Sequence, residues 1–323
     1  MTEDIKFSLI LPFLGQTRDR FQVFGADYSL AEQIARAAQV EDAGALEVVY
    51  PYNLRDVATT KKLMADHGLA CSSVNVNIKG ETRFYMGSLT SPDRNVRAEA
   101  IQWIKEAMDI APEMGCDIVT CCPLGDGHDY SFQIDYSQAW GWFIEGVREA
   151  ASHRSDVRLS LEYKPAETRA RVIIPTAAAA LHACDQVGLP NVGVTVDIGH
   201  ALYAPETPGM TIAQLARAGR LFLVHVNDNY RNWDWDLVPG SVNWWDWIES
   251  LLYLDKVGYD YWLVSDVMPA RLDAIQVLNA VARSIRRGRR LLAKVDQAAL
   301  WTAIQRNDAM AAYDLLYAAL GLD

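Results

Sequence analysis

The sequence predicts an α/β protein: a (β/α)8 TIM barrel with a C-terminal helical extension. Short apolar runs rich in β-branched residues alternate with longer amphipathic stretches, and they do so eight times. The repeat of roughly 40 residues suits a closed barrel, and strands that are apolar almost throughout suit a parallel sheet covered by helices. An open doubly wound sheet is the rival arrangement. It would place a glycine fingerprint after an early strand, whereas PFLGQTRDR follows the first strand here.

Taken in order, the strands are expected at 5–12, 46–50, 71–77, 117–122, 157–163, 192–197, 221–226 and 261–266. Between the first two, residues 29–43 carry Leu30, Ile34, Ala37, Ala38 and Val40 at helical spacing. Ser91 and Pro92 open a helix over 91–114, as N-cap and first helical residue. Gly44, Gly115 and Gly258 stand where left-handed helix C-caps are expected. The barrel is assigned to residues 1–292. Residues 293–323 form the extension, whose apolar side (Trp301, Ile304, Ala311, Leu315, Leu316) packs on the barrel's outside or on a partner subunit. The many tryptophans divide in the same way, with Trp244, Trp245 and Trp247 serving packing or an interface.

Composition bounds the function. Half of the 323 residues are hydrophobic and 22% are charged, as in a globular protein with a large core. A net charge of −11 argues against a nucleic-acid face, which needs a basic stripe. No apolar run approaches the ~20 residues that span a bilayer, and the acidic N-terminus lacks a signal-peptide core. The five cysteines have no paired spacing, so they read as core residues in a reducing compartment, and a cytoplasmic location is expected.

A barrel enzyme carries its chemistry at the C-terminal ends of its strands. Four consecutive strands end there in Glu162, Asp197, His225 and Asp266. Three carboxylates gathered at one spot repel each other unless a cation sits among them. Oxygen-rich ligation with one imidazole suits a divalent ion, with Mn²⁺ preferred and Mg²⁺, Co²⁺ or Zn²⁺ also compatible. Ordinary capping or ion pairing would explain one such strand end, but not four in succession. His200, Asp234 and Asp236 lie beside this set. If WDWDL (233–237) is extended, both aspartates point the same way and could hold a second cation with His200; otherwise they are loop carboxylates and His200 supports the first site.

Lys164 follows Glu162 by two residues and could stabilise a developing oxyanion, or simply pair with Glu167. His128, on a Gly-rich loop after the fourth strand, is a candidate acid/base or substrate contact. Glu162, Lys164, Asp234, Asp236 and His128 are therefore the catalytic candidates. Phe13, His200, Asn229, Trp233 and Arg271 are the candidate substrate contacts on the same rim, and Trp235 could also stack on a sugar or aglycone.

The stretches DGHDYSFQ (126–133), LEYKP (161–165), DIGHA (197–201), HVNDN (225–229), WDWDLVPGS (233–241) and SDVMPAR (265–271) occur in a telling order. With them the chain resembles the xylose-isomerase-like barrel superfamily of sugar isomerases, ketose 3-epimerases, inosose-processing enzymes and apurinic endonucleases. It looks most like the L-rhamnose-isomerase-like branch, over nearly its whole length up to the tail. The resemblance implies a structural metal on Glu162, Asp197, His225 and Asp266, and a catalytic-side metal or water near His200, Asp234 and Asp236. Aspartate as the fourth ligand departs from the ketose 3-epimerases, which use two metal-binding glutamates as opposed acid and base. The long terminal extension of true L-rhamnose isomerases is also missing. The chain is similar, too, to the larger subunit of bacterial C-glycoside deglycosidases, where a rim histidine takes a proton beside the carbonyl of a 3-oxo-glycoside; His128 could fill that role. The expected activity is thus a metal-dependent sugar isomerase, with a lyase acting on 3-oxo-C-glycosides as the alternative. The expected partners are a small sugar or glycoside and either further copies of the chain or a small second subunit.

Overall fold

The structure, a computed structural model, describes residues 6–322. Its centre is a closed barrel of eight parallel strands. These are β1 (Phe7–Ile10), β2 (Ala43–Tyr50), β3 (Ala70–Val76), β4 (Ile118–Cys121), β5 (Arg158–Glu162), β6 (Val192–Asp197), β7 (Leu221–Val226) and β8 (Leu263–Ser265). Each pairs with the next, and β8 closes on β1 through Phe7 opposite Leu263. All eight strands lie where the apolar runs placed them, offset by a few residues at their ends. Residue 5, the first of the expected run 5–12, is outside the described residues.

Helices cover the barrel: α1 (Leu30–Ala37), α2 (Val57–Asp66), α3 (Arg94–Met114), α4 (Tyr136–Ala151), α5 (Ala177–Val187), α6 (Ile198–Tyr203), α7 (Pro208–Arg217), α8 (Trp244–Lys256) and α9 (Ala274–Lys294). Local chemistry sets their starts. Ser29 and Glu32 form a reciprocal capping box on α1, and Asp56, Asp135, Thr176 and Asp273 cap α2, α4, α5 and α9 with side-chain oxygens. Two local expectations are corrected. α3 is capped by Asp93, so Ser91 and Pro92 precede it; Asp93 accepts from the Asn95 amide. Gly44 lies inside β2 rather than at a helix end, where a Cβ would come within 3.1 Å of the Trp262 ring. The left-handed residue after α1 is Asp42, with φ 60°. Gly115 and Gly258 do adopt left-handed φ, at 89° and 70°.

The main core lies between strands and helices, while a small plug of Ile10, Ile118, Leu223 and Val264 forms a separate apolar cluster. Buried hydroxyls accompany the strands, with Ser160 bonded to Thr195 at 2.6 Å and Ser8 to Ser72 at 2.7 Å. Two further helices follow α9, α10 (Gln297–Gln305) and α11 (Ala309–Leu320). They rest on the barrel's helices through aromatic edges: Trp301 meets Tyr253 at 5.7 Å, and Tyr313 and Tyr317 meet Trp245 at 5.5 and 5.3 Å. α10 buries Leu300 and Ala303, whereas no residue of α11 is buried. Among the described residues the five cysteines are buried and unpaired, and no helix is long and apolar enough to cross a membrane.

Candidate metal centre

The parallel register of β6 and β7 sets Asp197 directly opposite His225. Glu162 closes β5 on one side, and Asp266 follows β8 on the other, its amide bonded to Val226 O at 3.3 Å. One ligand atom from each of Glu162, Asp197, His225 and Asp266 lies within 4.8 Å of all the others. Three of the four are buried, and the Asp266 side chain is 17% exposed, which leaves one side of the cage open to the rim.

The donor set fits a divalent cation. His225 Nδ1 is buried without a hydrogen-bond partner, 3.5 Å from Glu162 Oε1 and 3.3 Å from Asp266 Oδ2. A buried nitrogen so placed beside two carboxylates could serve as a ligand atom for an ion. The charge balance agrees. Burial alone would lower the pKa of His225, yet Glu47, Glu162 and Asp266 hold it well above the ordinary imidazole range. Burial would raise Glu162, but His225 and His200 bring it down to about 2. Asp197 goes the other way, pushed up to about 7 by burial and by Asp266 and Asp234 against the pull of His200.

Asp197 also builds its own surroundings. Oδ1 accepts the His200 amide at 2.7 Å and so caps α6, while Oδ2 accepts Asn227 Nδ2 at 2.9 Å. Asn227 in turn accepts the Gly199 amide at 2.6 Å. α6, which the apolar pattern did not separate from the strand before it, thus aims His200 along the cage. His200 Nδ1 stands 3.4 Å from Glu162, and Nε2 stands 3.3 Å from Asp234 Oδ2. Lys164 completes this chain, its ammonium 2.8 Å from Asp234 Oδ2 and bonded also to Glu167. Burial would lower the Lys164 pKa, but Asp234 and Glu167 hold it well above the usual lysine range.

The structure therefore joins Glu162, Asp197, His225, Asp266, His200, Lys164 and Asp234 in one cluster. Asp236 lies at its edge, with Oδ1 3.4 Å from Asn227 Nδ2. The extended DxD segment is corrected: Asp236 has φ 49°, so the chain turns there and its carboxylate does not simply alternate with Asp234. His128 is set apart. It sits in a small three-stranded sheet (Gly127–His128, Ala166–Glu167 and Ala170–Val172), edge-on to Tyr136 at 5.0 Å, and lines a cleft of about 430 Å³ whose wall includes Glu167. Asn229 is fully buried, its amide donating to Gly199 O at 2.7 Å and accepting from Arg231 N at 2.8 Å, so it fastens the loop after β7. Phe13 packs against the Ile10 plug, and Trp233 packs on Tyr203 at 5.7 Å. Arg271 is exposed, and its charge joins the Gln22 and Phe21 amides in lowering the pKa of Asp19.

Three buried residues at the site escaped sequence reasoning. Asn227 and Asp228 stand in the polar run HVNDN, and Asp228 anchors the next loop by accepting the Val242 and Asn243 amides at 2.8 and 3.0 Å. Glu47 touches His225, and its one signal is a charge inside the apolar strand LEVVY.

The family of xylose isomerase-like TIM barrels matches residues 34–292. The chain belongs to that family. Xylose isomerase of Thermus thermophilus is 29% identical over 240 residues, which are 72% of this chain and 62% of that relative. This member of the family thus spans somewhat less than two thirds of that relative's length. D-allulose 3-epimerase from Methylomonas sp. superposes with a TM-score of 0.68 at 17% identity, covering 88% of this chain and 97% of that one. 3-Keto-D-glucoside 4-epimerase from E. coli gives 0.65 at 14% identity, covering 87% and 99%. At such identities the two epimerases attest the shared xylose isomerase-like fold.

Proposed function

We propose that this protein is a divalent-metal-dependent sugar isomerase that interconverts an aldose and a ketose. The observation that carries this reading is the cage of Glu162, Asp197, His225 and Asp266 standing directly beside the Lys164–Asp234–His200 chain. A divalent cation held by the four cage residues would polarise a sugar carbonyl or hydroxyl. The chain's own groups supply the rest. Lys164 presents a buried ammonium that can hold negative charge growing on a substrate oxygen. Asp234 keeps that ammonium charged and aimed, and His200 presents a second positive edge, its pKa raised to about 9 as Asp197 and Asp234 overcome burial. Asp236, which burial and Asp234 hold above the ordinary carboxylate range, can carry a proton near the same spot. Mn²⁺ is the preferred ion; a second at His200, Asp234 and Asp236 is the alternative arrangement, in which His200 and Asp236 give up their protons and act as ligands.

The lyase reading is favoured by His128 in the cleft beside Glu167, since that cleft offers room for an aglycone. Proton NMR in D₂O of the Mn²⁺-loaded protein with free aldoses and with 3-oxo-C-glycosides separates the two. Ketose formation, with or without solvent deuterium at C2, supports the isomerase. Aglycone release that disappears in His128→Ala supports the lyase, and conversion of neither class overturns both.

A further inference from the structure

Glu47 sits on β2, reaches the cage across the barrel interior, and is fully buried. Its Oε2 is 3.2 Å from His225 Nε2 and accepts the Ser73 hydroxyl at 2.5 Å, while Oε1 accepts Asn75 Nδ2 at 2.9 Å. Ser73 and Asn75, two residues apart on β3, thus grip both oxygens and leave the carboxylate little freedom to turn. A buried carboxylate is costly unless its oxygens are partnered, so its placement against an imidazole calls for a reason.

A neutral imidazole has one N–H and one lone pair, and whichever nitrogen faces an ionised carboxylate carries the proton. Glu47 faces Nε2. Nδ1 lies between Glu162 and Asp266, whose charge a cation in the cage would neutralise, so with an ion bound the lone pair falls to Nδ1 and the proton to the side that Glu47 holds. The opposite tautomer would point a proton into the cage and set a lone pair against a carboxylate oxygen.

We infer that Glu47 is the positioning residue that fixes His225 in its Nε2–H form and thereby sets the affinity of the cage for a divalent cation. This rests on the reading of Glu162, Asp197, His225 and Asp266 as a cation cage. Glu47 acts on the cation only through the imidazole, which separates it from the four ligands.

Two measurements on the full chain test it. Nitrogen-15 NMR of histidine-labelled wild type loaded with Zn²⁺, with the His225 resonances assigned through His225→Gln, is expected to show a proton on Nε2 and none on Nδ1. Mn²⁺ titration of Glu47→Gln is expected to show binding weakened about 10- to 100-fold, and Ser73→Ala, which keeps the charge but loosens it, a smaller loss. A proton on Nδ1 in the Zn²⁺-loaded wild type overturns the inference even should Glu47→Gln fail to fold. So does a folded Glu47→Gln that binds Mn²⁺ within twofold of wild type. Wild type that binds neither ion overturns the cage reading as well, and so differs from failure of the Glu47 role alone.

Discussion

His225 shows how one side chain can carry two opposed demands. In the metal-free protein its neighbouring carboxylates keep it protonated above the ordinary imidazole range, yet ligation needs a bare Nδ1. Metal uptake must therefore expel a proton. The sign follows: as pH falls, protons compete for the nitrogen and affinity drops, while above the raised pKa the dependence vanishes. Mn²⁺ affinity is expected to rise between about pH 6 and about pH 8, by about tenfold per unit for each proton released, as calorimetry in buffers of different ionisation enthalpy can check. At the neighbouring lysine, Lys164→Met is expected to cut the proposed isomerase turnover about a hundredfold or more while Mn²⁺ affinity stays within a few fold. Metal analysis after equilibrium dialysis decides between one ion per chain and two, and Asp234→Asn would abolish only the second. The four cage residues were legible because each ends its own strand, so the order of strands predicts their meeting. Glu47 was not, because its contact with His225 runs across the barrel interior, where spacing along the chain carries no information.

At the scale of elements, the strand that bears His128 follows directly on a buried carboxylate. Asp126 accepts the Ser88 and Thr90 amides at 2.9 and 2.6 Å, and both hydroxyls as well, tying the loop before α3 to the loop after β4. Asp126→Ala strands these buried donors and is expected to cost about 3 kcal/mol in urea unfolding. Gly127→Ala should be at least as damaging, since a Cβ there would lie 2.0 Å from Arg171 O in the paired strand. This sheet was not legible: strands of two or three residues are too short to show alternation, and Gly127–His128 pairs with Arg171 and Val172 far along the chain. α6 was missed for a related reason, since six residues beginning at a strand's last ligand make less than two full turns. α3 was found but its start misjudged, because serine and proline mimic an entry that Asp93 supplies two residues later.

For the whole molecule, strand periodicity was enough to predict a closed barrel, since eight parallel strands with helical crossovers leave few other ways to bury both faces. The same closure makes the cage a product of the entire sheet, as its ligands come from four strands that meet only when the ring is complete. A bound ion should therefore stabilise the global fold. At Mn²⁺ a hundredfold above its dissociation constant, the unfolding free energy is expected to rise by about 2.7 kcal/mol, and Glu162→Gln should show no such gain. Differential scanning calorimetry with and without Mn²⁺ makes the comparison. α11 is the opposite case. With none of its residues buried, its removal after Asn307 is expected to leave the calorimetric midpoint within a few degrees of the full chain.

Because Asp197 both caps α6 and offers an oxygen to the cage, occupancy of the site is written into a backbone hydrogen bond. The carboxylate is already held by the His200 amide and Asn227, and an ion bound to it would restrain the acceptor of that amide further and slow its exchange with solvent. The deuterium uptake of one peptide spanning α6 should then act as a gauge of metal loading, readable in crude mixtures and without any substrate.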